Sequence, residues 1–338
     1  MGSVTCDRVP VRHVIIGTGA VGGVIGGLLA SVGKDVVLVA RGRQLEALRR
    51  DGLEVTTAGG TVRVRPDVAT GPQDVDLRHD DVLVLAVKSQ DTVAALDAWA
   101  DRPVAGGTAA ELLPVVCAQN GVDNERMALR RFASVVAMCV WLPATYLEPG
   151  RVCAGGTPVP GVLTLGPAAG EVSMLPVYAR DLVDAGFRAP VTDDVMAWKY
   201  TKLLTNLGNA VEALCGTGRD DAARELLELA GAEGRAVLRA AGLPTVDDAV
   251  HDAARADFRL ARLPGQEGSG GSTWQSLARG SGSVESDYLN GEIVLLGRLH
   301  GIPTPVNAVL QRRARQAVAV GARPGGISAR DLLADAAG

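Results

Sequence analysis

The side chains best equipped for chemistry lie along one run, Trp198-Lys199-Tyr200-Thr201-Lys202-Leu203-Leu204-Thr205-Asn206-Leu207-Gly208-Asn209. Lys202 and Asn206 are spaced i and i+4, and Asn209 follows about one turn later. A helix over 195–214 would therefore carry all three on one face. Asparagine is a poor helix-interior residue, and a solvated face more usually carries Glu, Lys or Arg. A lysine flanked by carboxamides can give a proton to a developing alkoxide while neutral donors hold the reacting molecule. The bland alternative is an ordinary solvated face. Lysine is also scarce: of 34 basic residues only Lys34, Lys88, Lys199 and Lys202 are lysines. Arginine keeps its proton far above neutral pH, whereas lysine titrates when desolvated. A lysine retained in such a chain tilts toward a role arginine would not fill.

Two further polar groups fall at the ends of predicted strands. Lys88 sits in Val87-Lys88-Ser89-Gln90-Asp91, and Asn120 in Gln119-Asn120-Gly121. Open α/β sheets bind ligands at the carboxyl ends of their strands, which suits both. Their alternatives are a plain strand-end lysine and an Asx-type turn ahead of a helix over 123–130. A third element is Ser272-Thr273-Trp274-Gln275-Ser276, followed by Val284-Glu285-Ser286-Asp287-Tyr288-Leu289-Asn290-Gly291. Glu285 near a helix start could simply favour the helix dipole.

These groups need a scaffold, and its clearest mark is near the N-terminus. Val14-Ile15-Ile16 reads as a buried strand, and 20–30 as a helix of small residues. Between them runs Gly17-Thr18-Gly19-Ala20-Val21-Gly22. Gly17 permits the tight turn, Gly19 lets backbone approach a pyrophosphate, and Gly22 lets helix and strand pack closely. The first-turn N–H groups and the helix dipole would face the phosphates. A second strand, 35–40, ends in Arg41-Gly42-Arg43, with no carboxylate at its tip. A carboxylate there would take a ribose 2′-hydroxyl and repel a 2′-phosphate, which a guanidinium pairs with. Arg41 therefore predicts NADP(H) over NAD(H), the alternative being two solvated arginines that start the next helix.

Alternating strands (81–87, 113–118, 134–142, 162–165, with 187–191 closing the sheet) and helices (44–50, 91–99, 174–185) predict a mostly parallel sheet covered on both faces. A hairpin is expected over 53–57 and 61–65. From Asp193 the apolar spacing turns helical through 195–214, 221–241, 247–260, 284–299 and 305–319. The expected division is a dinucleotide-binding domain over 1–191 and a helical substrate or dimerisation domain over 192–338. The run from Pro264 to Ser272 reads as a mobile loop.

Composition limits the rest. The chain has 338 residues, is 47% hydrophobic and carries a formal net charge of −4, with no apolar run of membrane-spanning length. Nothing invites nucleic acid or an anionic membrane. The first residues lack a signal peptide's regions. Five cysteines without CxxC spacing and four scattered histidines offer no metal set. A reduced, cytoplasmic protein is the expectation.

Together these stretches resemble the ketopantoate reductase (2-dehydropantoate 2-reductase) family. Its markers here are Gly17-Thr-Gly-Ala-Val-Gly22, Val87-Lys-Ser-Gln-Asp91, Asn120-Gly121, Lys202-x-x-x-Asn206 and Glu285-Ser-Asp-Tyr-Leu-Asn-Gly291. The resemblance implies an α/β fold: a Rossmann-type parallel-sheet domain joined to an all-helical domain of the 6-phosphogluconate dehydrogenase C-terminal type. It implies NADPH as cofactor, a small 2-oxo acid as substrate and 2-dehydropantoate as first choice. The apolar helices of the second domain could support a homodimer, though they would read the same as intramolecular core. Lys202 would be the general acid and Asn206 a substrate ligand. Asn120 would bridge cofactor and substrate, Lys88 and Arg41 would serve NADPH, and Glu285 would hold the substrate hydroxyl or the cofactor side. Thr273 matches a hydroxyl for the substrate carboxylate. Two positions depart from the pattern. The second helix asparagine is expected at 210, which is Ala, with Asn209 one place early, and the polar loop residue three before Thr273 is Gly270. The alternatives are the same scaffold retuned to another ketone or imine, and a non-catalytic NADPH-binding protein.

Overall fold

The structure, a computed structural model, describes residues 11–218, 220–261, 263–264, 270–280 and 282–338. Cys6, the segment read for a signal peptide, and most of the expected loop at 264–272 lie outside the described residues.

The strand Arg12–Ile16 lies inside a seven-stranded sheet. In order across the sheet the strands are Val162–Pro167, Ser134–Trp141, Pro114–Cys117, Asp81–Leu85, Arg12–Ile16, Asp35–Val39 and Asp67–Ala69. All neighbours pair in parallel except the edge strand Val162–Pro167, which runs antiparallel to Ser134–Trp141. The inner strands are continuous apolar runs because both faces are covered. Ile15 joins the core beneath the helices Ala20–Ser31 and Leu175–Asp184, while Val14 and Ile16 join the opposite core with Leu96, Trp99 and Met127. Each such side chain withdrawn from water contributes about 1.5–3 kcal/mol.

Register decides where the polar strand ends emerge. Ile16 pairs with Val39 and with Leu85, and Leu85 with Cys117. The turn at Gly17, Arg41, Lys88 and Asn120 therefore follow adjacent strands at one edge. The segment 187–191 closes the sheet only through the bridges Val162–Arg188 and Leu165–Val191, since Pro190 has no N–H to continue a ladder.

The hairpin Leu53–Thr57 and Gly60–Val64 forms as expected, but it belongs to a second sheet with Arg151–Ala154 and Ala144–Glu148. Past Val195 the chain is helical around a core of Leu203, Leu207, Val211, Leu226, Ile293 and Leu310. The single helix expected over 195–214 is two, Val195–Asn206 and Gly208–Cys215, broken at Leu207. A Cβ on Gly208 would stand 2.7 Å from Leu227, so the glycine lets the helix Asp221–Ala240 approach closely. The expected helix over 247–260 is only Asp248–Ala253. Beyond it the chain pairs Arg259–Leu260 with Gly156–Thr157 and ties Asp257 to Arg188 at 2.8 Å, so contact with the sheet domain overrides the helical spacing. The region 284–299 opens as a single turn, Glu285–Asp287, before the helix Asn290–His300. Ser272–Ala278 and Ala329–Ala337 are helices that apolar spacing did not reveal. No helix among the described residues is long and apolar enough to cross a membrane.

Candidate active site

The glycine turn has the geometry its spacing implies. Gly17 has φ +100°, and a Cβ there would meet Val87 at 2.8 Å. A Cβ on Gly22 would meet Ala86 at 2.9 Å, so this glycine is required by close packing. Around a Cβ on Gly19 nothing lies within 4 Å. The space in front of Gly19 is open, at the N-terminus of the helix Ala20–Ser31, whose first turn carries no acid. Buried Thr18 donates its hydroxyl to Val39 O at 2.8 Å, binding the turn to the next strand. Gln44, absent from the sequence expectations, donates to Thr18 O at 3.1 Å. Arg41 and Arg43 are exposed beside this turn. Open space before Gly19, a first helical turn without acid and two exposed arginines fit a dinucleotide carrying a 2′-phosphate.

The loop after the strand Asp81–Leu85 is bound to the helical half. Lys88 Nζ donates to Ser283 O at 2.9 Å, and Gln90 Nε2 to Ser283 Oγ at 2.8 Å. Burial, partly opposed by Glu285, lowers the Lys88 pKa. Glu285 Oε1 accepts from the Ser89 backbone N–H at 3.1 Å and from Ser89 Oγ at 3.0 Å. Glu285 thus spans from the helical half to the strand-end loop, and Ser89 is its partner there.

Lys202 reaches the same edge from the other side. Its Nζ donates to Asn120 Oδ1 at 2.5 Å and to Val140 O, and it is 8% exposed. Both acceptors belong to the sheet half. Desolvation pushes the Lys202 ammonium down to about 8, with Cys139 and Glu285 opposing and Lys199 and Arg255 assisting. Asn206, Gln119, Cys139 and Lys199 line the same small cavity as Lys202 and Asn120. Asn120 is held in turn: its carbonyl accepts from Asn124 Nδ2 at 2.9 Å, and Gln119 Nε2 donates to Val87 O and to Thr92 Oγ1 at 2.8 Å.

Lys199 lies one turn before Lys202. It is paired with Glu125 at 2% side-chain exposure on both sides, and donates to Gln119 O at 3.1 Å. Sequence reasoning noticed Lys199 only as a scarce lysine and passed over Glu125. Asn209 is not in the cavity lining; past the break at Leu207 its Nδ2 donates to Ser272 Oγ at 3.4 Å. Thr273 is buried, 3% exposed, in the helix Ser272–Ala278. Gly270 places its backbone against the Trp274 ring, where a Cβ would stand 2.7 Å away.

A dinucleotide turn on a parallel sheet, facing a helical half that presents a buried, easily deprotonated amine, defines a two-domain nucleotide-dependent dehydrogenase. Comparison with known proteins agrees. The family model described as ketopantoate reductase PanE/ApbA matches residues 13–170, and its C-terminal counterpart matches 194–318. The 2-dehydropantoate 2-reductase of Archaeoglobus fulgidus is 31% identical over 307 residues, 88% of this chain and 95% of the relative. That of Caulobacter vibrioides is 32% identical over 305 residues, again 88% and 95%. A PanE/ApbA family ketopantoate reductase from Ralstonia eutropha superposes with a TM-score of 0.75 at 28% identity, covering 92% of this chain and 99% of that one. D-mandelate dehydrogenase, with NADH and anilino(oxo)acetate, superposes at 0.76 over 92% and 99%, but at 19% identity it attests the fold alone. The chain belongs to the ketopantoate reductase family and is an NADP-dependent oxidoreductase acting on a CH–OH group.

Proposed function

We propose that this chain reduces a 2-oxo acid to the 2-hydroxy acid, with 2-dehydropantoate to pantoate the leading choice. The observation that carries this reading is the buried Lys202 amine, held 2.5 Å from Asn120 Oδ1 where the two halves meet. NADPH, when bound, supplies the hydride. Lys202 gives its proton to the carbonyl oxygen, and a pKa near 8 suits donation at neutral pH. Asn120 and Asn206 orient the substrate from opposite halves, since both line the cavity. Glu285, through Ser89, holds the Lys88 loop beside the cofactor turn. Arg41 takes the 2′-phosphate, Gly17 to Gly22 cradle the pyrophosphate, and the domains divide at 191/192.

The thiols of Cys117, Cys139 and Cys215, none of them in a disulfide, support a reducing, cytoplasmic setting. The exposed Leu295 and Leu299 on one helix support a homodimer through the helical half. A second reading, another ketone acceptor on the same scaffold, is favoured by Ala210, Gly270 and the outward engagement of Asn209 with Ser272. Steady-state NADPH oxidation with 2-dehydropantoate against a panel of 2-oxo acids and ketones separates the two. A kcat/KM for 2-dehydropantoate below that of another panel member refutes the first choice.

A further inference from the structure

The chain beyond the helix Asp221–Ala240 brings a second polar cluster against the site. Trp141 directly follows Val140, whose carbonyl accepts from Lys202. Lys202 Nζ lies 5.3 Å from the centroid of the Trp141 ring, and the guanidinium carbon of Arg255 lies 3.8 Å from it. Both cations are therefore set against one indole. Arg255 Nη2 contacts His251 Nδ1 at 3.0 Å. Other Arg255 bonds go to His251 O at 3.3 Å and to Asp252 at 3.1 Å, whose carboxylate is 78% exposed.

A guanidinium only donates, so His251 Nδ1 must accept, and a neutral His251 then carries its proton on Nε2. Burial, with help from Arg255 and Lys202 and against Asp252 and Asp248, lowers the His251 pKa. His251 is 4% exposed, with ring centroids 5.5 Å from Trp141 and 6.0 Å from Trp198. His251 Nε2 and Trp141 Nε1 are both buried with no hydrogen-bond partner among the described residues. Two unpaired N–H donors beside a permanent cation lack a buried acceptor, and that combination is complementary to an anion. Thr273, the hydroxyl that the resemblance sets against a substrate carboxylate, is buried within its helix, and Gly270, where it sets a polar loop residue, has no side chain.

We propose that Arg255, with the N–H groups of Trp141 and His251, receives a carboxylate of the substrate and is a specificity-determining residue of this enzyme. The proposal rests on the 2-oxo acid reading. The carboxylate is either the one beside the reacting carbonyl or one at the far end of the acceptor.

The test is steady-state kinetics of wild type and Arg255→Met on 2-dehydropantoate, on its neutral methyl ester and on 2-oxoglutarate, with NADPH affinity measured alongside. KM for the acids should rise about 30-fold, the scale of a lost charge-assisted hydrogen bond. The ester and NADPH affinity should be unmoved. A loss on both acids assigns the carboxylate beside the carbonyl; a loss on 2-oxoglutarate alone assigns the distal one. Arg255→Gln, which keeps polarity without charge, repeats the measurement if the methionine variant folds poorly. An unchanged KM for both acids in both variants overturns this inference alone. A wild-type enzyme inert on every acid overturns it together with the reading beneath it.

Discussion

Lys202→Arg, studied across pH, tests the proton-donor role most sharply. The ammonium of Lys202 is brought down to about 8, mainly by desolvation. If it is the donor, kcat should be level below that value and fall about tenfold for each pH unit above it, because only the protonated amine is active. An arginine keeps its proton throughout that range, so the variant should show no such limb. Its guanidinium is larger than the ammonium that fits between Asn120 Oδ1 and Val140 O, so it is also misplaced. Loss of a positioned acid costs roughly 10²–10⁴ in rate. The assay is NADPH oxidation at saturating substrate, with NADPH affinity measured separately to show that the cofactor site is intact. Near-wild-type kcat in Lys202→Arg, or a limb that persists unchanged, would refute the reasoning. Stability supplies an independent check, since the folded-state pKa lies below the usual 10.5 of a free lysine. Between about 8 and 10.5 the unfolded chain binds more protons, so this group makes the protein more stable as pH rises. Wild type minus Lys202→Met, compared by thermal melts at pH 8 and pH 10, should carry that slope.

Three further outcomes follow from the geometry. Gly19→Ala, at φ −82° with open space ahead, should leave the melting temperature unchanged and weaken NADPH binding. Gly22→Ala meets Ala86 at 2.9 Å and should lose about 1–3 kcal/mol of stability as well, so equal melting temperatures for the two variants would contradict the division between ligand space and packing. Glu125→Gln leaves Lys199 buried without its carboxylate and should cost about 3–5 kcal/mol in chemical denaturation, while the apolar pair Glu125→Leu with Lys199→Met recovers much of it. Arg41→Ala should raise KM for NADPH roughly tenfold and leave KM for NADH alone, as expected for an exposed charge-assisted contact; an unchanged cofactor preference would remove Arg41 from the 2′-phosphate site.

Local pattern made much of this protein legible. The glycines at 17, 19 and 22 each have a physical reason confined to a short stretch of chain: one turn, one open approach, one helix packed on one strand. The buried strands read as continuous β-branched runs because a sheet covered on both faces demands them. Lys202 with Asn206 was readable from helical spacing, which places i and i+4 together wherever the helix sits. The scarcity of lysine pointed alike at Lys34, Lys88, Lys199 and Lys202, of which Lys199 and Lys202 are buried and Lys34 and Lys88 are half-buried.

Other features depend on residues far apart in the chain. Asn209 shares a face with Lys202 by helical spacing, yet its partner is Ser272, more than sixty positions away. Glu285 read as a dipole residue or as one that holds the substrate hydroxyl or the cofactor side, and its partner Ser89 stands nearly two hundred positions away. Glu125 has no local signature and acquires its role from Lys199 alone. Arg255 stands in a segment whose spacing looked helical, and only pairing with the sheet domain sets it over Trp141. Periodicity and turn chemistry act over a few residues and survive any fold. Partners at a domain junction are chosen by packing between distant segments, which no window along the chain contains.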